Sequence, residues 1–298
     1  WLLRTHFESR SMTKHQYAYR RGLSCETAIS RIIDKLESAL LRGQQAVGVF
    51  LDISGAFDNI DHDKTIQAMK KRGMPKQFTD WYEQCLKNRT ITAEIAGAIC
   101  TRSITRGTAQ GGVLSPVVWN IVIEPLLDKM NEICDTNGFA DDTSAVSVGP
   151  DPSICRDMVQ AAVKMAIEWG EENGLTFNAS KTVVIHFKRR HFETPRPIKI
   201  KGEEIPFSKE VKYLGVTVTE TLDWTPHIKE KIDKAKKMIF ASQKYVGKNY
   251  GVHPGLMRWV WQSVVVPIML YACHVWIGSV TPRQKVLLTK LNRLALLG

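Results

Sequence analysis

The amino-acid sequence predicts an α+β fold: a mixed sheet backed by helices through the middle of the chain, then an all-helical end. Three observations carry this. AVGVFLDI, Ala46 to Ile53, is a short apolar run with β-branched residues, the pattern of a buried strand that ends near Asp52. GFADDT, Gly138 to Thr143, with the apolar Ala145 to Val148 close behind, reads as a β-hairpin. From Trp224 onward the pattern is helical.

The elements follow in chain order. WLLRTHFESR at the start has a helical pattern. Ser24 can cap a helix with Glu26 in its first turn, and Ile29, Ile32, Ile33, Leu36 and Leu40 follow at helical spacing until Gly43. After the first strand, Ile66 to Arg89 is mostly helical with a break at Gly73-Met74-Pro75, and Ile91 to Ile104 is a hairpin turning at Gly97. Pro116 to Ile133 is a long apolar helix, with Ser115 as its N-cap and Pro116 at N1. Ile154, Met158, Ala161, Met165 and Trp169 mark one face of another helix, ended by Asn173-Gly174. Thr182 to Phe187, Ile198 to Ile200 and VKYLGVTV (Val211 to Val218) read as strands. A helical C-terminal domain is expected to start near Thr219.

The 298 residues are enough for a large core and two lobes. A net charge of +11 points to a polyanionic partner, nucleic acid before membrane. The charge is uneven: Lys181 to Tyr250 carries 16 Lys/Arg against 8 Asp/Glu, which suits a binding surface. The six cysteines have no C-x-x-C or zinc spacing, so they read as reduced, mostly buried thiols of an intracellular protein, nuclear or cytoplasmic, with no signal peptide. Trp259 to Val280 has no Lys, Arg, Asp or Glu and is long enough to cross a membrane, but Gln262, Ser263, Pro267 and His274 suit a buried, kinked helix pair better.

Asp141 and Asp142 raise a physical question. Adjacent carboxylates repel, and burying them is costly without a cation. From the residues alone they are either a solvated turn or a metal-holding pair. Asp52, at the tip of its own strand, is a third acid, and on adjacent strands the three would converge. Carboxylates with no His or Cys favour hard cations, Mg²⁺ or Mn²⁺. With the basic charge, this points to phosphoryl or nucleotidyl transfer on a nucleic acid.

Ordered motifs add a resemblance. GFADDT resembles the Y/F-A-D-D box of reverse transcriptases, and FLDISGAFD (Phe50 to Asp58) their first catalytic motif. RGTAQGGVLSPVVWN, Arg106 to Asn120, is similar to the motif between them. QYAYRRGLSCETA (Gln16 to Ala28), GLTFNASKT (Gly174 to Thr182), YLGV (Tyr213 to Val216) and VVVPIMLYACHVW resemble further segments of LINE-type, non-LTR retrotransposon enzymes. The resemblance covers about residues 16 to 298. It implies a right-hand polymerase: partial fingers over 1–45, a palm with an antiparallel sheet over 46–218 carrying inserted fingers helices at about 62–100, and a helical thumb over 219–298.

The resemblance also implies roles. Asp52, Asp141, Asp142 and the carbonyl of Ile53 would hold two Mg²⁺ ions, with Mn²⁺ a possible substitute. Phe57 would be a steric gate against ribonucleotides. Gln110 and Gly111 would lie near the incoming nucleotide, Lys181 would protonate the departing pyrophosphate, and Arg20 or Arg21 would contact triphosphate or template. Tyr213, Leu214 and Gly215 would form a primer-gripping hairpin, with Gly215 allowing close backbone approach, and Lys234 and Lys237 would meet duplex phosphates. Trp224, Trp259, Trp261 and Trp276 read as core. The implied activity is RNA-directed DNA synthesis, with an RNA template, a DNA primer or target DNA, and dNTPs as partners. An unrelated metal-dependent nuclease would explain the acids but not Phe57, the Gln110 loop or the motif order. Both chain ends look cut and the family's R-P-I-S-L segment is not seen, so a fragment of a longer protein is expected. The alternative is a truncated, catalytically inactive remnant that still binds nucleic acid.

Overall fold

The computed structural model describes residues 12–87, 89–109, 111–189, 192–244 and 254–296. The helix expected in WLLRTHFESR lies outside them. The chain divides into two compact units, Trp1–Ala28 with Ala39–Ser208, and Ile29–Ser38 with Lys209–Gly298.

Helix α1 (Cys25–Leu41) contributes to both units. Its start is set as the sequence indicates: the Thr27 amide donates to Ser24 Oγ (3.3 Å) and the Ser24 amide to Thr27 Oγ1 (2.8 Å). Ile29, Ile32, Ile33, Leu36 and Leu40 are all buried.

The rest of the first unit runs β1 (Gln45–Leu51), α2 (Ala56–Asn59), α3 (His62–Lys71), α4 (Lys76–Lys87), β2 (Thr90–Ile95), β3 (Ala98–Ser103), α5 (Ser115–Asn131), β4 (Asp135–Phe139), β5 (Asp142–Gly149), α6 (Pro152–Asn173), β6 (Val183–Phe187), β7 (Ile198–Ile200), β8 (Glu203–Ile205) and β9 (Phe207–Ser208). The main sheet has the order β4-β5-β1-β6-β9, antiparallel except for the short parallel β6–β9 pair. β1 lies at its centre and is buried at all seven positions, which is why its sequence is apolar rather than alternating. Val47, Val49 and Leu51 form one core with Trp119, Ile123 and Leu127 of α5 and Val159, Val163 and Ala166 of α6. Each Val, Leu and Ile among them contributes about 1.5–3 kcal/mol on burial.

Two expectations shift here. The buried face of α6 is Cys155, Val159, Ala162, Val163, Ala166 and Gly170, whereas Ile154 and Met158 are exposed. Small residues let α6 approach the sheet, so they hold the contact and the bulkier residues flank it; a Cβ at Gly170 would stand 2.7 Å from the Leu175 carbonyl oxygen. Ser115 is the first residue of α5 rather than its cap. Leu114 takes the cap position, and Ser115 Oγ donates to the Ala109 carbonyl (2.7 Å). The cysteines also differ from expectation: Cys134 and Cys155 are buried, but Cys85 and Cys100 are exposed.

The second unit contains β10 (Glu210–Tyr213), β11 (Val216–Thr219), α7 (Thr225–Lys244), α8 (Pro254–Val260), a π-helical turn (Trp261–Val265), α9 (Val266–Leu270), α10 (Cys273–Trp276) and α11 (Pro282–Leu296). VKYLGVTV is a hairpin rather than one strand, because Leu214 (φ 45°) and Gly215 (φ 79°) both turn left-handed in its middle. Ile228, Ile232, Ala235 and Ile239 of α7 are buried at helical spacing, while Lys229, Lys234, Lys236 and Lys237 are exposed. Trp224 and Trp276 are buried as expected; Trp259 is exposed and Trp261 half-buried. Among the described residues no single helix is long and apolar enough to cross a membrane. Arg258–Leu270 and Cys273–Ser279 pass together by length and composition, bent by 48°.

Candidate active site

β1 and β5 bring the acids to one end of the sheet. Leu51 pairs with Thr143, so extending the register by one residue sets Asp52 opposite Asp142. Asp142 opens β5, and Ala140-Asp141 is the two-residue turn joining it to β4. Asp142 keeps solvent access, yet its carboxyl is raised to about 6, first by desolvation and then by the charges of Asp141 and Asp52. Asp52 Oδ2 is buried without a hydrogen-bond partner, and the Lys181 ammonium stands 3.5 Å from it. Among the described residues no three His, Cys, Asp or Glu side chains form a ready-made metal cluster.

GLTFNASKT delivers Lys181. The Asn178 amide donates to the Asp52 carbonyl (2.9 Å) and the Ser54 amide to the Thr176 carbonyl (2.8 Å). These two bonds flank the bridge between Ile53 and Phe177 and leave the Ile53 carbonyl out of that ladder. A tight turn then follows, with the Ser180 amide on Asn178 Oδ1 (3.0 Å) and the Thr182 amide on the Asn178 carbonyl (3.0 Å).

Phe57 sits in α2, half-buried, its ring centroid 5.5 Å from that of Trp119. The RGTAQGG loop fixes it from outside: the Thr108 amide donates to the Phe57 carbonyl and the Gly107 amide to the Ile60 carbonyl, both at 2.8 Å. Gly107 must be glycine, because its φ is +85° and a Cβ would lie 2.9 Å from the Asp58 carbonyl oxygen. Gly111 is exposed in the same loop; Gln110 lies outside the described residues. Arg20 turns its Nη1 onto the carbonyls of Thr13 and Gln16 (2.9 Å to the latter), and Arg21 is exposed.

A family model described as reverse transcriptase (RNA-dependent DNA polymerase) matches residues 2–218. The chain belongs to the reverse transcriptase family. Its relatives are proteins of non-LTR retrotransposons. It is 24% identical over 95% of its length to the 115 kDa protein of type-1 retrotransposable element R1DM of Drosophila melanogaster. It is 25% identical over 96% of its length to the Pol polyprotein of element R1 of Bradysia coprophila, and 22% over 90% to the RNA-directed DNA polymerase of mobile element jockey of Drosophila melanogaster. The chain spans 27%, 28% and 30% of those relatives' lengths. Among solved structures, telomerase from Candida albicans with a fragment of telomeric RNA aligns with 98% of this chain and 54% of its own, at TM-score 0.55 and 14% identity. Apo telomerase from Candida tropicalis, truncated from its C-terminal domain, covers 74% of this chain and 43% of its own, at TM-score 0.52 and 13% identity. The α+β architecture is therefore that of the polymerases of this family.

In this reverse transcriptase chain the remaining predicted residues fall in the second unit. Tyr213 is buried and Leu214-Gly215 form the hairpin turn, held where Tyr271 Oη donates to the Leu214 carbonyl (2.8 Å) and Lys231 Nζ to the Gly215 carbonyl (3.1 Å). Lys234 and Lys212 both meet Glu230 Oε1 at 2.7 Å, so the Lys234 charge is partly answered within the unit; Lys237 is exposed. Those charge-assisted bonds hold the Glu230 carboxyl down to about 2. Sequence reasoning passed over Tyr271 and Lys231, and also Gln16 and Trp119 beside the acidic turn. A buried Trp does signal that its N–H has a partner, but the sequence does not say which.

Proposed function

We propose that the chain is the RNA-directed DNA polymerase domain of a non-LTR retrotransposon, joining dNTPs to a primer 3′-hydroxyl on an RNA template. The β1–β5 ladder, which ends at Leu51–Thr143 and so leads directly into Asp52 and Asp142, with Asp141 in the adjoining turn and both other acids acting on the Asp142 carboxyl, carries this reading. The first unit from β1 onward corresponds to the palm, with α3, α4, β2 and β3 as inserted fingers elements, and the helical part of the second unit to the thumb.

The residues suit a divalent cation. A buried carboxylate oxygen on Asp52 with no hydrogen bond, and a carboxyl on Asp142 raised by burial and then by the charges of Asp141 and Asp52, are both relieved by one. Asp52, Asp141, Asp142 and the Ile53 carbonyl would hold two Mg²⁺ or Mn²⁺ ions. When bound, these supply charge neutralisation at the triphosphate and a more acidic primer hydroxyl. In the reaction the primer 3′-hydroxyl gives up its proton to solvent, its oxygen bonds to the α-phosphorus, and the bond from that phosphorus to pyrophosphate breaks. Lys181, 3.5 Å from Asp52, would give a proton to the departing pyrophosphate. Phe57, braced by Trp119 and the Gly107-Thr108 backbone, would fill the space of a ribose 2′-hydroxyl. The Gln110-Gly111 loop would back the incoming nucleotide, and Arg20 and Arg21 would flank triphosphate or template. Tyr213, Leu214 and Gly215 would hold the primer, and Lys234 and Lys237 would meet duplex phosphates with steep salt dependence.

Primer extension on an RNA template tests the reading. Template-directed dNTP incorporation by this chain, abolished by chelation of divalent cations, is expected. Salt-sensitive RNA binding without incorporation, even with Mn²⁺, would overturn it in favour of a binding-only remnant.

A further inference from the structure

The turn that presents Asp141 and Asp142 is not held by its own hairpin alone. Ala140 is in the left-handed region at φ 55°, a conformation unfavourable for a non-glycine residue. Three bonds from distant residues satisfy its peptide groups. The Ala140 amide donates to Gln16 Oε1 (3.1 Å). Its carbonyl accepts from Gln16 Nε2 (3.2 Å) and from the Trp119 indole Nε1 (2.7 Å). Gln16 is fully buried, and its Oε1 also accepts from the Ala18 amide (3.1 Å). A primary amide both donates and accepts at one site in this way, whereas an ionised Glu can only accept and Leu can do neither.

The clamp is itself braced. Gln16 bridges Gly138, with the Tyr17 amide on the Gly138 carbonyl (2.8 Å) and the Gly138 amide on the His15 carbonyl (2.7 Å). Its segment is tied to α5, the helix that carries Trp119. The Thr13 amide donates to Glu124 Oε1 (2.7 Å), Thr13 Oγ1 to Asp128, and Asn120 Nδ2 to the Ala18 carbonyl (3.0 Å). The acidic turn is thus gripped on both peptide faces by groups fixed to one helix.

We propose that Gln16, with Trp119, is a positioning residue for the reaction, fixing the Ala140 peptide so that Asp141 and Asp142 stand where divalent cation and triphosphate are bound. The proposal rests on the polymerase reading. Outer-shell partners of this kind are worth about 10–100-fold in metal affinity or activity.

The test compares Gln16→Glu, Gln16→Leu and Trp119→Phe with the wild-type chain. The Mg²⁺ dependence of primer extension and hydrogen exchange at the Ala140 amide are both read. Gln16→Glu keeps the acceptor and loses the donor at neutral pH. It should keep Ala140 protected and raise the half-saturating Mg²⁺ concentration about tenfold at pH 8. That deficit, relative to wild type, should shrink toward pH 6 as a buried carboxylic acid regains the proton it donates. Gln16→Leu should lose Ala140 protection and show a deficit that pH does not repair. Trp119→Phe should act in the same direction as Gln16→Glu without its pH dependence. Wild-type incorporation with an unchanged Mg²⁺ dependence in Gln16→Glu and Gln16→Leu would overturn the positioning role and leave the polymerase reading standing. A uniform loss in all three variants, at every pH and with collapsed melting temperatures, would reduce Gln16 to a structural residue. An inactive wild-type chain would instead sink the polymerase reading, and this role with it.

Discussion

Asp52 lies one residue past the end of β1, and a turn on another segment brings Lys181 to it. The β1 ladder stops at Leu51, so Asp52 escapes the central strand, and its buried Oδ2 has the Lys181 ammonium at 3.5 Å but no hydrogen bond. Lys181 is largely exposed, and its approach to Asp52 is set by the Asn178 turn rather than by packing. A pair whose lysine is largely exposed adds little stability, and the proposed role of Lys181 is proton transfer. Lys181→Ala is therefore expected to leave the melting temperature within a few degrees and to lower single-turnover incorporation by about a hundredfold. Arginine, with its higher proton affinity, should rescue poorly. A normal rate with weakened dNTP binding would mean that Lys181 acts as a ground-state contact instead. The two acid-bearing segments were legible in the sequence because each follows a local apolar run. Gln16 was not, since it acts on Ala140, 124 positions away, through backbone atoms that leave no trace in residue identity.

Three hairpins turn on the same device, a residue and a glycine both at positive φ: Ala96-Gly97, Lys201-Gly202 and Leu214-Gly215. This is the two-residue turn whose twist matches a right-handed strand pair. The sequence marked Gly97 as a turn by itself. It marked Gly215 only by resemblance, because VKYLGVTV has apolar residues on both sides and reads as a continuous strand. Gly215 carries a further constraint: a Cβ there would stand 3.2 Å from the Tyr271 ring, at φ 79°. Gly215→Ala should destabilise the chain by about 1–2 kcal/mol. Thermal melts check this, and an unchanged midpoint would contradict the turn geometry. The reading of α6 failed for the opposite reason. Hydropathy favoured Ile154 and Met158, but a helix lying on a sheet approaches through Ala162, Ala166 and Gly170.

At the scale of the molecule, His186 in the first unit and His227 in the second are buried and ionise poorly. His186 bonds Gln45 Oε1 (2.7 Å) in the first unit, and the Thr217 amide donates to His227 Nδ1 (3.2 Å) in the second. Burial, then Lys188 for His186 and Lys231 for His227, lowers each to about 4 from 6.5. The folded-state value lies below the unfolded one. The stabilisation is therefore full above pH 6.5 and is lost as pH falls through 4, by roughly 3 kcal/mol for each histidine. Melts from pH 7 to 4 should show this loss, and His186→Gln with His227→Gln should flatten it; an equal slope in the double variant would contradict the assignment. The overall architecture was legible because it rests on local periodicity and ordered motifs. Which residues brace the acidic turn was not, because that is decided by contacts between segments far apart in the chain. The central claim is that Asp52, Asp141 and Asp142 form one nucleotidyl-transfer centre. Its most direct test is single-nucleotide incorporation on an RNA-templated primer by Asp141→Asn against the wild-type chain. The account predicts a loss of about a thousandfold or more with retained RNA binding. An unchanged rate would contradict it.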